Sequence, residues 1–96
     1  MPDQGFGWRR ITANALVFTG PVHYGGLIVR ATGGGTADVT VYDGQDDGGG
    51  RYMGYTVPVD ETAQFMEVSP ATFETGLYIT IGSNIGEVLV RYRAAD

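Results

Sequence analysis

A β-rich run, a glycine turn and a second β-rich run recur along this chain, and the pattern confines it to an all-β fold. The clearest instance is Gly26–Thr32, then Gly33-Gly34-Gly35, then Thr36–Tyr42, which turns again at Asp43-Gly44. Val, Ile, Thr and Tyr favour a pleated, half-buried surface, whereas glycine tolerates the positive φ that tight turns need. A second instance runs through Gly76–Ile81, Gly82–Gly86 and Glu87–Arg93. There Leu77, Ile79 and Ile81 alternate with Tyr78 and Thr80, and Val88, Val90 and Tyr92 supply a matching apolar row. Both instances read as hairpins with one face in a core and one in water.

The remaining segments fit the same scheme. Ala13–Thr19 reads as a strand closed by the turn Gly20-Pro21, and Val22–Thr32 as a long strand in which Gly25-Gly26 marks a bulge or bend. Val39 and Val41 point to one face of Thr36–Tyr42, and the apolar-poor stretch Asp43–Gly50 is a hairpin tip. Arg51–Val59 returns as a strand in which Pro58 suits an edge or an end, Asp60-Glu61-Thr62 is a turn or at most a single helical turn, and Gln64–Val68 is a short strand stopped by Ser69-Pro70. Seven to eight short strands near ten-residue spacing, without a helix, predict an antiparallel β-sandwich or jelly roll; a small closed barrel is the alternative. The expected layout is an N-terminal arm over 1–12, a β-sandwich domain over 13–93 and a tail over 94–96.

With 96 residues the chain has room for one domain and one small core. It lacks cysteine, which removes disulfides and thiolate metal sites. A formal net charge of −5 disfavours a surface that tracks phosphates, so nucleic acid is not expected as a partner. A membrane is not expected either, because no apolar stretch approaches a spanning length and the first residues carry no basic or apolar leader pattern. Synthesis and folding in a cytoplasm are the corresponding expectation. Every basic residue is arginine (Arg9, Arg10, Arg30, Arg51, Arg91, Arg93). A G- and C-rich genome produces that bias without selection, and planar guanidinium groups also suit pairing between subunits.

Catalytic constellations are scarce. His23 is the single histidine, and a nucleophilic triad would need an orienting acid and a nucleophile elbow that the sequence does not contain. The glycine clusters do not match G-x-G-x-x-G, and without lysine there is no P-loop. Asp46 and Asp47 are adjacent on a glycine-rich loop, which does not hold two acids across a cleft. The chain is therefore expected not to be an enzyme and to use no cofactor. Asp43, Gln45, Asp47 and Gly48 resemble the opening of a calcium loop, but glutamine occupies the third position and Gly54 the place of the bidentate glutamate, so turn geometry explains them as well. Tyr52 and Tyr55 share one strand, and Tyr24 and Tyr42 could stand on outward faces. Such rings either stack on sugars, as in a carbohydrate-binding module, or pack across strands or in a subunit contact. In Gly5–Ile11, Phe6 and Trp8 precede Arg9 and Arg10; the two rings either fold back onto the domain or insert into a neighbouring subunit, and all four residues are expected to help attach the domain to a neighbour, since aromatics and arginine are enriched in interface cores.

One resemblance rests on a succession of segments: Ala15–Val22, Gly26–Val29, Ala37–Gly44, Thr75–Ile81 and Glu87–Tyr92. Together they resemble small β-sandwich virion proteins encoded by tailed bacteriophages. The likeness covers about Ala13 to Arg93, and its most telling parts are V-T-V-Y-D-G at Val39–Gly44 and G-L-Y-I-T-I at Gly76–Ile81. It implies a structural protein located in the virion: a head decoration or cement subunit, or a small fibre or spike component that contacts the host surface. Such a protein is commonly a homotrimer, and its partners would be copies of itself and the major capsid protein or another virion protein. No catalytic residue carries over from it.

Overall fold

A computed structural model describes residues 6–95, and among them every regular element is a strand. The strands are β1 (Gly7–Ile11), β2 (Ala15–Thr19), β3 (Val22–Ala31), β4 (Ala37–Asp43), β5 (Gly50–Val57), β6 (Thr62–Phe73), β7 (Gly76–Ile81) and β8 (Ile85–Ala94). They form two four-stranded antiparallel sheets with the orders β1-β8-β3-β6 and β2-β7-β4-β5. The pairing is nested: β4 with β5, β3 with β6, β2 with β7 and β1 with β8. The chain is thus one long hairpin rolled up so that β8 also meets β3 and β7 also meets β4, which is the jelly-roll form of the β-sandwich.

Alternation supplies the core. Val22, Tyr24, Leu27 and Val29 of β3 and Val88 and Val90 of β8 face Val39 and Val41 of β4 and Leu77 and Ile79 of β7, all at most 1 % exposed. Each such aliphatic side chain contributes about 1.5–3 kcal/mol by leaving water. The long β3 stays inside one sheet despite Gly25-Gly26, because the register shifts there on both sides and Gly26 takes φ 118°. The glycine pair is a bulge, as the sequence suggests.

Two expected hairpins are not hairpins. β3 and β4 lie in different sheets, as do β7 and β8, so residues 32–36 and 82–84 carry the chain across the sandwich. These crossovers tie to each other: Asn84, itself at φ 69°, donates through Nδ2 to Thr36 O at 3.1 Å and accepts through its carbonyl from Thr32 N at 2.8 Å. Among the described residues only β4–β5 joins neighbours of one sheet through a local turn. The closed barrel is set aside by the two open sheets.

Two boundaries also change. Residues 1–5 of the expected arm lie outside the described residues, but Gly7–Ile11 form an edge strand whose Ile11 is buried. The sandwich therefore begins before residue 13. Further on, β6 continues past Ser69-Pro70 to Phe73. Met66 pairs with Gly26 and Ala71 with Tyr24, so residues 67–70 swing out of the ladder opposite Gly25. Proline is accommodated because β6 is an edge.

Candidate functional site

The outward face of the first sheet collects residues that lie far apart in sequence. Trp8 and Arg10 come from β1, Ile28 and Arg30 from β3, and Glu87, Leu89, Arg91 and Arg93 from β8; register places Leu89 between Arg10 and Ile28, and Trp8 beside Arg91. Four of the six arginines stand here, and among the described residues Glu87 is the one acid at an outward position of these three strands. Its carboxylate accepts from Arg10 Nε at 2.6 Å, with Arg30 Nε at 3.6 Å. The hydrogen bond from Arg10 holds the Glu87 carboxyl below the ordinary carboxylate value, against a smaller opposing effect of desolvation. Phe6 lies against the same face, its ring centroid 4.2 Å from the Arg91 guanidinium carbon and 5.1 Å from that of Arg93. It also covers Gly25, where a Cβ would meet the Phe6 ring at 3.0 Å. Trp8 remains 50 % exposed.

Of the four residues suggested for attachment, Phe6 folds back, Trp8 and Arg10 display themselves, and Arg9 has an internal task. Arg9 donates to Leu16 O and Val17 O, both at 3.3 Å, and so ties the edge of the first sheet to β2 of the second. The sequence offers Arg30, Arg91 and Arg93 only as part of the all-arginine basic set, without placing them on one face. The alternation Glu87, Leu89, Arg91, Arg93 was a legible signal, but that β3 and β1 flank it follows only from the pairing.

The tyrosines behave differently from an exposed sugar platform. Tyr24 is fully buried, stacks on Phe73 with centroids 5.6 Å apart, and shares a 3.0 Å hydrogen bond with Tyr55 OH. Tyr55 packs on Phe65 and Tyr52 on Phe73, with centroid separations of 4.5 and 5.0 Å. Tyr52 OH donates to Glu67 Oε1 at 3.0 Å. A register shift in β4–β5, where Val41 pairs with Met53 and Tyr42 with Arg51, makes Tyr52 the extra residue and turns its ring in beside Tyr24. These rings fill the seam between edge strands β5 and β6. Burial pushes the Tyr24 hydroxyl far above the usual tyrosine value, and the Tyr55 hydrogen bond and the Glu67 carboxylate act in the same direction. Desolvation likewise raises Tyr52, reinforced by its bond to Glu67; for Tyr55 desolvation outweighs the lowering effect of the Tyr24 hydrogen bond.

The Asp43–Gly50 stretch is the β4–β5 hairpin tip, and its carboxylates serve the backbone. Asp43 accepts from Thr75 N at 3.1 Å and Glu74 N at 3.3 Å, and Asp46 accepts from Gly48 N at 2.9 Å. Among the described residues no three His, Asp or Glu side chains gather in metal-holding geometry. His23 Nδ1 lies 3.0 Å from Thr72 Oγ1, a contact between neighbouring strands. Two depressions mark the surface: about 220 Å³ bounded by Asp38, Thr40, Arg51, Gly54 and Thr56, and about 290 Å³ along residues 9–15. In the first, Thr56 Oγ1 donates to Asp38 at 3.1 Å. The β-sandwich architecture is therefore what the strands establish, and no family model, curated protein or solved structure matches the chain.

Proposed function

We propose that the protein is an assembly subunit, a structural virion protein that decorates the outer head surface of a tailed bacteriophage and associates with copies of itself. The observation that carries this reading is the outer face of the first sheet, where half-exposed Trp8 stands beside Arg91 and two residues from Arg10, on a face that also holds Arg30. Tryptophan and arginine are the side chains most often found at energetic centres of interfaces. The jelly roll is an arrangement that capsid and lectin domains both use, and the sequence resemblance favours the first. The glycan-binding alternative loses its motive, because Tyr52 and Tyr55 spend their rings in the seam.

The test is co-sedimentation during growth of the virus that carries the coding sequence. A tagged copy should travel with the particles at a fixed, saturable ratio, and Trp8→Ala should weaken that binding while leaving the melting temperature within a few degrees. A protein that stays in the supernatant when particles pellet would refute the reading.

A further inference from the structure

Charge in this molecule is segregated. The chain carries a formal net charge of −5, yet the outward positions of β1, β3 and β8 hold Arg10, Arg30, Arg91 and Arg93 against Glu87 alone among the described residues. The opposite sign gathers elsewhere. Asp43, Asp46 and Asp47 lie on the tip between β4 and β5, and Glu74 joins them because its backbone N–H donates to Asp43. Residues 43–50 contain no basic side chain. The tip belongs to the second sheet and the arginine face to the first, so one copy presents its acidic end on a different surface from the one that would receive it.

From this complementarity we infer that the arginine and tryptophan face of one copy receives the acidic β4–β5 tip of a second copy, in a head-to-tail contact. The inference rests on the assembly reading above and specifies its geometry. A contact between unlike surfaces is heterologous: it closes into a ring if the rotation permits and otherwise propagates. The tip is narrow, so each contact buries less than the roughly 1,600 Å² of a standard stable interface and is individually weak. Strength then comes from repetition, since a copy held by two neighbours gains effective concentration without new contacts. Arg10 and Arg30 fit this role because their side chains are 59 % and 56 % exposed and share a single carboxylate. Asp46 and Asp47 are exposed on the other surface.

Sedimentation equilibrium of the full chain tests it through charge reversal. Wild-type protein should associate at about 50 mM salt and fall toward monomer at about 500 mM, where the screening length shrinks to a few ångströms. Reversing the face (Arg10→Glu with Arg30→Glu) or the tip (Asp46→Arg with Asp47→Arg) should each weaken association by about tenfold or more, the loss of roughly 1.4 kcal/mol. An equimolar mixture of the two variants should recover it, because each mismatched surface then finds its complement. Thermal melts check folding, and Arg10→Gln with Arg30→Gln replaces the face reversal if three clustered carboxylates prove destabilising. A wild type that stays monomeric at low salt, or a self-association indifferent to tip reversal, overturns the inference. Particle co-sedimentation then decides the assembly reading separately: binding that persists leaves it standing, and absent binding removes both.

Discussion

Gly26 and Tyr24 show how much of this fold depends on single side chains, or on the lack of one. At Gly26 the backbone has φ 118°, and a Cβ would sit 2.7 Å from Met66 Cα and closer still to the Phe65 carbonyl oxygen. Neither is a flexible side-chain end that could move aside. Gly26→Ala should cost about 3 kcal/mol from backbone strain and overpacking together. Gly33→Ala, which meets nothing within 4 Å, should change stability by less than about 0.5 kcal/mol. Urea midpoints at unchanged m-value would separate the two. Tyr24→Phe keeps the stack on Phe73 and deletes the bond to Tyr55, for a loss of about 1 kcal/mol. Tyr24 also sets an alkaline limit. Its hydroxyl is raised in the fold, so below pH ~10 it is neutral in both states; above that the unfolded chain ionises first, and stability falls by up to about 1.4 kcal/mol per pH unit from this group. Phenolate absorbance should therefore show a fraction of tyrosine that titrates only on unfolding, and Tyr24→Phe should reduce it.

Edge strands carry the next set of consequences. β1 was legible only as an arm, because Gly7-Trp8-Arg9-Arg10 has no apolar alternation; its one core residue is Ile11, and its partner β8 lies at the far end of the chain. Ile11→Ala should cost about 3 kcal/mol, and a chain lacking residues 1–11 should bind a hydrophobic dye where the intact protein does not. Removing the N-terminal stretch therefore cannot separate attachment from folding. Strand positions and inward faces were readable because alternation is local: Val39 with Val41, Leu77 with Ile79 and Val88 with Val90 all point inward as their spacing requires. Strand partners were not. Gly33–Gly35 would serve a return within one sheet or a step to the other, and only the need to cover both apolar faces decides, which is a property of all eight strands together. The same limit hid the direction of Tyr52, which depends on a one-residue slip against β4. On β6, Val68 and Pro70 are pushed out of the ladder, a shape that discourages edge-to-edge pairing. Deleting residues 68–70 would leave Glu67 opposite Gly25 and a straighter edge. The variant should fold, with light scattering reporting dimers or larger species at about 500 mM salt, where the parent falls toward monomer.

At the scale of the whole molecule, the sheets give one surface to cations and aromatics and another to carboxylates, so the net charge understates how directional the electrostatic field is. The nested pairing has a different consequence. Gly7 lies opposite Tyr92, and Ala95 N donates to Pro21 O at 3.1 Å, so the two ends of the described chain run side by side along the same sheet. Topologically the eight strands are a loop with a small gap, and nothing in their packing distinguishes where reading starts. A circular permutant opened between Asp46 and Asp47, with residues 6 and 95 joined by a short glycine linker, would begin at β5 and end at β4. It should keep the far-UV spectrum of the parent and lose no more than about 2 kcal/mol, the order expected for opening an exposed tip. Cargo fused at residue 47 of the permutant would then leave the molecule from the second sheet, whereas cargo joined at residue 6 or 95 of the parent order leaves from the first.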